Sequence, residues 1–177
     1  MSVDIVFETH SMSVDNERGL ATGWLDGCLS ERGRLLAKEL GDRRRGERID
    51  AAFTSDLGRA VETGAIAFGG TGIPIYKDVR LRECNYGALN GAPAVQVEAE
   101  RFRHIDVPFP GGESYRDVVG RVQEFLHDLS RGWDGKSVVV IGHSATRWAL
   151  DHLLTGAPLE DLVVAPFGWR EGWRYSL

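Results

Sequence analysis

Cysteine is scarce: Cys28 and Cys84 are the only two in 177 residues. They are too few and too widely separated for a zinc framework or a disulfide scaffold, so they read as reduced thiols with packing roles. Long hydrophobic runs are missing too. Nothing approaches the roughly 20 apolar residues that cross a bilayer, and the first residues lack the basic-then-apolar order of a secretory signal. A cytoplasmic protein without membrane contact is therefore expected. Positive charge is not in excess: the net charge of −5 gives nucleic-acid binding no support. It leaves room for a small anionic substrate, because local field decides that. There is no internal repeat, linker or low-complexity tract, which favours one domain over residues 1–177. No feature of the sequence sets an oligomeric state.

What is present is a pair of β-branched segments, each ending in His-Ser. One runs Val3-Asp4-Ile5-Val6-Phe7-Glu8-Thr9-His10-Ser11, the other Ser137-Val138-Val139-Val140-Ile141-Gly142-His143-Ser144. Such runs, followed by helical periodicity, read as buried strands of a parallel sheet. Further strands are expected over 49–54 and 73–76, with possible strands at 162–165 and within 169–175. Helices are expected after Ser30, using Leu29, Leu35, Leu36 and Leu40; after a Ser55 or Asp56 cap as far as Phe68; near 94–102; from Gly-Gly-Glu-Ser at 111–114 to about Leu129; and over 144–154. Arg43, Arg44, Arg45 and Arg48 read as a solvated helix end. The alternation predicts an α/β fold, a three-layer α/β/α sandwich with a mostly parallel central sheet.

Ligands of such sheets sit outside the carboxyl ends of the strands, where His10 and His143 would face one crevice. An imidazole there can attack phosphorus and hold the phosphoryl group covalently, while a second donates hydrogen bonds to oxygens gaining charge. Asn16, six residues after His10, offers an amide donor, and Arg59 offers a guanidinium for bidentate phosphate binding. The ionised form of Glu83 would be disfavoured beside a phosphate dianion. That suits this carboxyl to protonate a leaving alkoxide and then deprotonate water. Glu113, after two glycines, reads as a helix-start carboxylate.

The order of these motifs resembles the histidine phosphatase superfamily, the phosphoglycerate mutase-like proteins. His10 and Asn16 keep the family's spacing. Gly23-Trp24-Leu25-Asp26 with Leu29-Ser30, Ser55 through Thr63, Leu81-x-Glu83 with Gly87, Gly111-Gly112-Glu113-Ser114 and Gly142-His143-Ser144 follow in the family's order. The resemblance implies a phosphoglycerate mutase-like fold and a small phosphorylated substrate, with no metal and no cofactor. It assigns catalysis to His10, Glu83 and His143. Phosphate binding would fall to Arg59, Asn16, Thr9, Ser11 and Ser144, and substrate contacts to Thr22, Gly23 and Tyr86.

The pattern breaks at its most charged point. The family's Arg-His-Gly is Thr9-His10-Ser11 here, and Glu8 occupies a strand position that is usually apolar. The phosphate pocket thus lacks one of two guanidiniums, a loss on the order of 10²–10³ in rate if uncompensated. A carboxylate beside the phosphate would worsen it, and Arg18 or Arg147 are the candidates to replace the missing cation. The expectation is a metal-independent phosphomonoesterase using a phosphohistidine. The alternatives are mutase-type transfer and a phospho-ligand binding module without catalysis. Against the mutase, Cys84 stands where mutases carry an Arg for the substrate carboxylate. Only 19 residues separate Gly91 from Gly111, leaving little to exclude water.

Overall fold

The computed structural model describes residues 2–177. Five strands form the central sheet: β1 (Asp4–Thr9), β3 (Ala51–Thr54), β4 (Ile75–Lys77), β6 (Ser137–Gly142) and β7 (Trp173–Ser176), in the order β4-β3-β6-β1-β7. All pairs are parallel except β1 with β7. A small ribbon joins β2 (Leu20–Ala21) to β5 (Ala92–Pro93). The helices are α1 (Val14–Glu17), α2 (Glu31–Arg44), α3 (Gly58–Phe68), α4 (Ala94–Glu100), α5 (Tyr115–Gly132), α6 (Ser144–Thr155) and α7 (Leu159–Val164). None is long and apolar enough to cross a membrane. This is the expected α/β architecture, a mostly parallel sheet with helices on both faces.

The pleat of the strands decides which helices cover which face. Ile5, Phe7, Val138 and Val140 pack with residues of α5, α6 and α7, whereas Val6, Val139 and Ile141 pack with Leu40 of α2 and Ala60, Ala67 and Phe68 of α3. Helix α5 illustrates the local logic. Ser114 and Asp117 close a capping box, and Val118, Val122, Phe125 and Leu129 recur at the spacing that makes one buried stripe. Burying each large side chain in that stripe contributes about 1.5–3 kcal/mol.

Several local expectations are corrected. The segment 162–165 lies mostly in α7 and not in a strand, and β7 begins only at Trp173, leaving Trp169 exposed. Helix α2 buries Gly33, Ala37, Leu40 and Arg44, while Leu35 points to solvent. Helix α3 has Leu57 at its N-cap with no side-chain cap, because the Ser55 hydroxyl is used elsewhere. The basic end of α2 is not simply solvated. Arg44 is buried and donates through Nε and Nη2 to Glu8 Oε1 at 2.9 and 2.7 Å, and Arg43 donates to Glu8 Oε2 at 2.9 Å. Arg44 also reaches Glu47 and the carbonyl of Glu171, and Glu47 in turn accepts from Arg174. Glu8 is therefore the centre of a buried ionic clasp joining β1, α2 and the C-terminal segment. It shares the pleat of Val6, on the α2 side, whereas Thr9 shares the pleat of Ile5 and Phe7.

Candidate active site

The register of β1 on β6 builds the site. Thr9 pairs with Gly142, so His10 and His143 leave neighbouring strands in step, and His10 N donates to Gly142 O at 2.9 Å. Their rings stand 5.0 Å apart, centroid to centroid. His10 Nδ1 lies 2.7 Å from the carbonyl oxygen of Ser11, which can only accept; the proton is therefore on Nδ1, and Nε2 keeps a free lone pair. Burial, followed by the charge of Arg59, lowers the pKa of His10 from 6.5 to about 3, so the ring is neutral near pH 7. Burial also pushes His143 well below the ordinary value, with Arg59 and His10 adding to the effect. His143 Nε2 is 2.7 Å from Ser55 Oγ at the end of β3, which fixes the plane of the ring.

Arg59 sits in the first turn of α3, 2% exposed. Its Nη2 donates to Gly23 O at 2.8 Å, and its Nη1 is buried without a hydrogen-bond partner. A buried guanidinium with an idle donor is costly unless an anion completes it. Burial lowers its pKa, opposed by the carboxylates of Glu83, Asp15 and Asp26 around it. A short relay holds it against the His10 loop: Ser11 N donates to Thr63 Oγ1, and that hydroxyl donates to Arg59 O. Gly23 has φ of +55°, and a side chain there would collide with Asn90, whose Oδ1 accepts from Trp24 N and Tyr86 N.

Glu83 is buried, and its Oε1 accepts from Cys84 N at 2.8 Å and from Ala145 N, in the first turn of α6, at 3.1 Å. Its own carbonyl accepts from Trp24 Nε1 and Arg121 Nη2. Glu113, the expected helix-start carboxylate, binds Arg121 and Asn85 N, and so braces the Glu83 loop.

The structure thus gathers His10, His143, Arg59 and Glu83 around the carboxyl ends of β1, β3 and β6. Other expected site residues are committed differently. The Ser11 hydroxyl donates to Gly33 O, Asn16 is exposed with Oδ1 accepting from Ser13 N in the α1 capping box, and Thr22 Oγ1 donates to Asp15. Tyr86 is buried edge-on to Phe109, and Ser144 opens α6 half-buried. Glu8, expected to crowd the phosphate, turns toward α2, where Arg43 and Arg44 take its carboxylate. Among the described residues no nearby cation replaces the missing Arg: Arg147 is bound to Asp151 and lies over Trp173, Arg82 is bound to Asp56 and lies over Trp24, and Arg18 is exposed. Sequence reasoning missed Ser55, Thr63, Asp15 and Arg121. Thr63 and Ser55 belong to the segment that carries Arg59, at i+4 and i−4, a spacing that alone marks shared helix faces and not a site.

Comparison with known proteins agrees with this geometry. The profile of the histidine phosphatase superfamily (branch 1) matches residues 5–167. The 2,3-bisphosphoglycerate-dependent phosphoglycerate mutase of Chelativorans sp. (strain BNC1) is 36% identical over 181 residues, covering 92% of this chain and 86% of the relative. That of Nitrobacter hamburgensis is 38% identical over 177 residues, covering 90% and 84%. Among solved structures, Bacillus stearothermophilus YhfR superposes with a TM-score of 0.83 at 29% identity, covering 96% of this chain and 88% of that one. A mycobacterial glucosyl-3-phosphoglycerate phosphatase complexed with VO3 gives 0.81 at 26% identity, covering 92% and 87%. With the two imidazoles, the guanidinium and the carboxyl converging as described, the chain belongs to the histidine phosphatase superfamily.

Proposed function

We propose that this protein is a metal-independent phosphomonoesterase that acts on a small phosphorylated substrate through a phosphohistidine on His10. The observation that carries the reading is the commitment of His10 Nδ1 to Ser11 O, which leaves Nε2 with its lone pair, within the electrostatic reach of Arg59, whose buried Nη1 is a donor with no partner. In the first step His10 Nε2 forms a bond to phosphorus, the bond from phosphorus to the ester oxygen breaks, and the leaving alkoxide takes a proton from the Glu83 carboxyl. In the second step water attacks the phosphohistidine, Glu83 accepts its proton, and the P–N bond breaks. Arg59 and His143 donate to the phosphoryl oxygens as charge builds on them, with Thr9, Ser144 and Asn16 as further donors at the rim. Thr22, Gly23 and Tyr86 frame the leaving group. The two free thiols suit a reducing cytoplasm.

Hydrolysis is favoured over mutase transfer by Cys84. It is buried, with Sγ against the carbonyls of Asn85 and Glu113, and supplies no cation for a substrate carboxylate. The mutase names of the relatives keep isomerisation of phosphoglycerate as the second reading. The test incubates the protein with phosphomonoesters, phosphoglycerates included, and follows inorganic phosphate, isomer exchange and acid-labile phosphohistidine together. Phosphate release with labelled His10, abolished in His10→Ala, is the expected result. Equal activity in wild type and His10→Ala would remove the covalent mechanism, and isomer exchange without phosphate release would favour the mutase.

A further inference from the structure

The charge balance of the pocket is unusual for one that holds a phosphoryl group. Among the described residues the guanidinium of Arg59 is the cation at its centre. From the N-terminal loops Asp15 and Asp26 act on it, and from the segment between β4 and β5 Glu83 and Tyr86 do so, while its buried Nη1 has no hydrogen-bond partner. His10 at the end of β1 and His143 at the start of α6 are neutral. Arg121 of α5 acts on His143 only from behind, held by Glu113. Thr9 brings a hydroxyl where the pleat of β1 aims the side chain away from Glu8, and Arg82 and Arg147 are already paired.

On the reading above, we infer that the site selects singly charged phosphoryl groups, the monoanions of phosphomonoesters, over the corresponding dianions. Arg59, already balanced by the carboxylates around it, can be set against one negative charge through its unpartnered Nη1, and no further cation is there to meet a second. Hydroxyl and imidazole donors instead match a phosphoryl group that still carries a proton, because the P–OH can donate to a carboxylate such as Glu83. One unit charge about 4 Å from another is worth from about fivefold in a water-like dielectric to about a thousandfold near a protein surface, so a preference of about tenfold lies within the lower part of that range.

The test measures binding by calorimetry from about pH 5 to about pH 8. The probes are methyl phosphate, whose second proton leaves near pH 6, and sulfate, a dianion throughout. Wild-type affinity for methyl phosphate should fall about tenfold as that proton leaves, while sulfate binds weakly at every pH. Thr9→Arg should abolish the fall and tighten sulfate about tenfold. Glu83→Gln, which removes one carboxylate without adding bulk, should move both in the same direction should the arginine variant misfold. The inference is overturned by wild-type binding of methyl phosphate that is flat with pH, by a parallel fall for sulfate, by binding of neither anion, or by two folded variants that leave the ratio unchanged. A protein that prefers the monoanion yet transfers no phosphoryl group sinks the phosphatase reading and leaves this one standing. Undiminished turnover of dianionic esters above pH 7 does the reverse.

Discussion

Glu8→Ala separates stability from catalysis in this chain. The carboxylate is 1% exposed and accepts three hydrogen bonds from Arg43 and Arg44, and Arg44 is itself only 6% exposed. Removing one partner of a buried ion pair costs about 3–5 kcal/mol, because the other is left charged and desolvated. Arg44 keeps Glu47 and the Glu171 carbonyl, which puts the expected loss at the lower end, about 3 kcal/mol. For a domain of this size that lowers Tm by about 6–12 °C. Urea unfolding gives the free energy, and the double variant Glu8→Leu/Arg44→Leu should regain most of it, since the buried charge goes with its partner and only Arg43, the more exposed of the two arginines, loses a carboxylate. At temperatures well below the transition, kcat for a phosphomonoester should stay within about twofold of wild type, because the Glu8 carboxylate is bound by Arg43 and Arg44 and contacts none of the site residues. A stability loss under about 1 kcal/mol would refute the clasp, and a large fall in kcat with stability intact would refute the separation of Glu8 from the site.

The two imidazoles make stability depend on pH. The folded pKa of His10 is depressed to about 3 from 6.5, so below about 6.5 the unfolded chain takes up a proton that the fold refuses; stability is full above that value and declines toward pH 3. Discounted for the partial exposure of His10, the decline between about pH 6.5 and 5 is about 1 kcal/mol, and thermal melts of His10→Asn should show a shallower slope; an identical slope would count against it. Ser55→Ala should lower kcat about tenfold with little change in KM, since it frees the His143 ring without touching the ground-state anion, and unchanged kcat would mean that Ser55 does not orient that ring.

The sheet was legible because β-branched runs and their order encode it. The pairing of His10 with His143 followed from both strands ending at the same edge. Local sequence misled wherever a tertiary partner outbid a local role. Ser55 reads as a helix cap yet binds His143, and Arg44 reads as a solvated helix end yet neutralises a strand residue far along the chain. Leu162-Val163-Val164 reads as a strand because a short apolar run has no period of its own, and it lies in α7. Glu8 read as a threat to the phosphate because one residue of offset cannot be seen to change faces until the pleat is fixed.

The strand that leads into His10 stands next to the rim of the sheet, and β7 runs against it in the opposite direction. Val3 and Leu177 exchange backbone hydrogen bonds of 2.9 and 3.0 Å, so the pairing of β1 with β7 continues one residue beyond the strands at each side. The aim of His10 is thereby tethered to β7. Peeling β7 away would fray β1 and blur the line of attack by the fraction of an ångström that in-line displacement tolerates. It would also bare a row of amides on which a second copy could adhere.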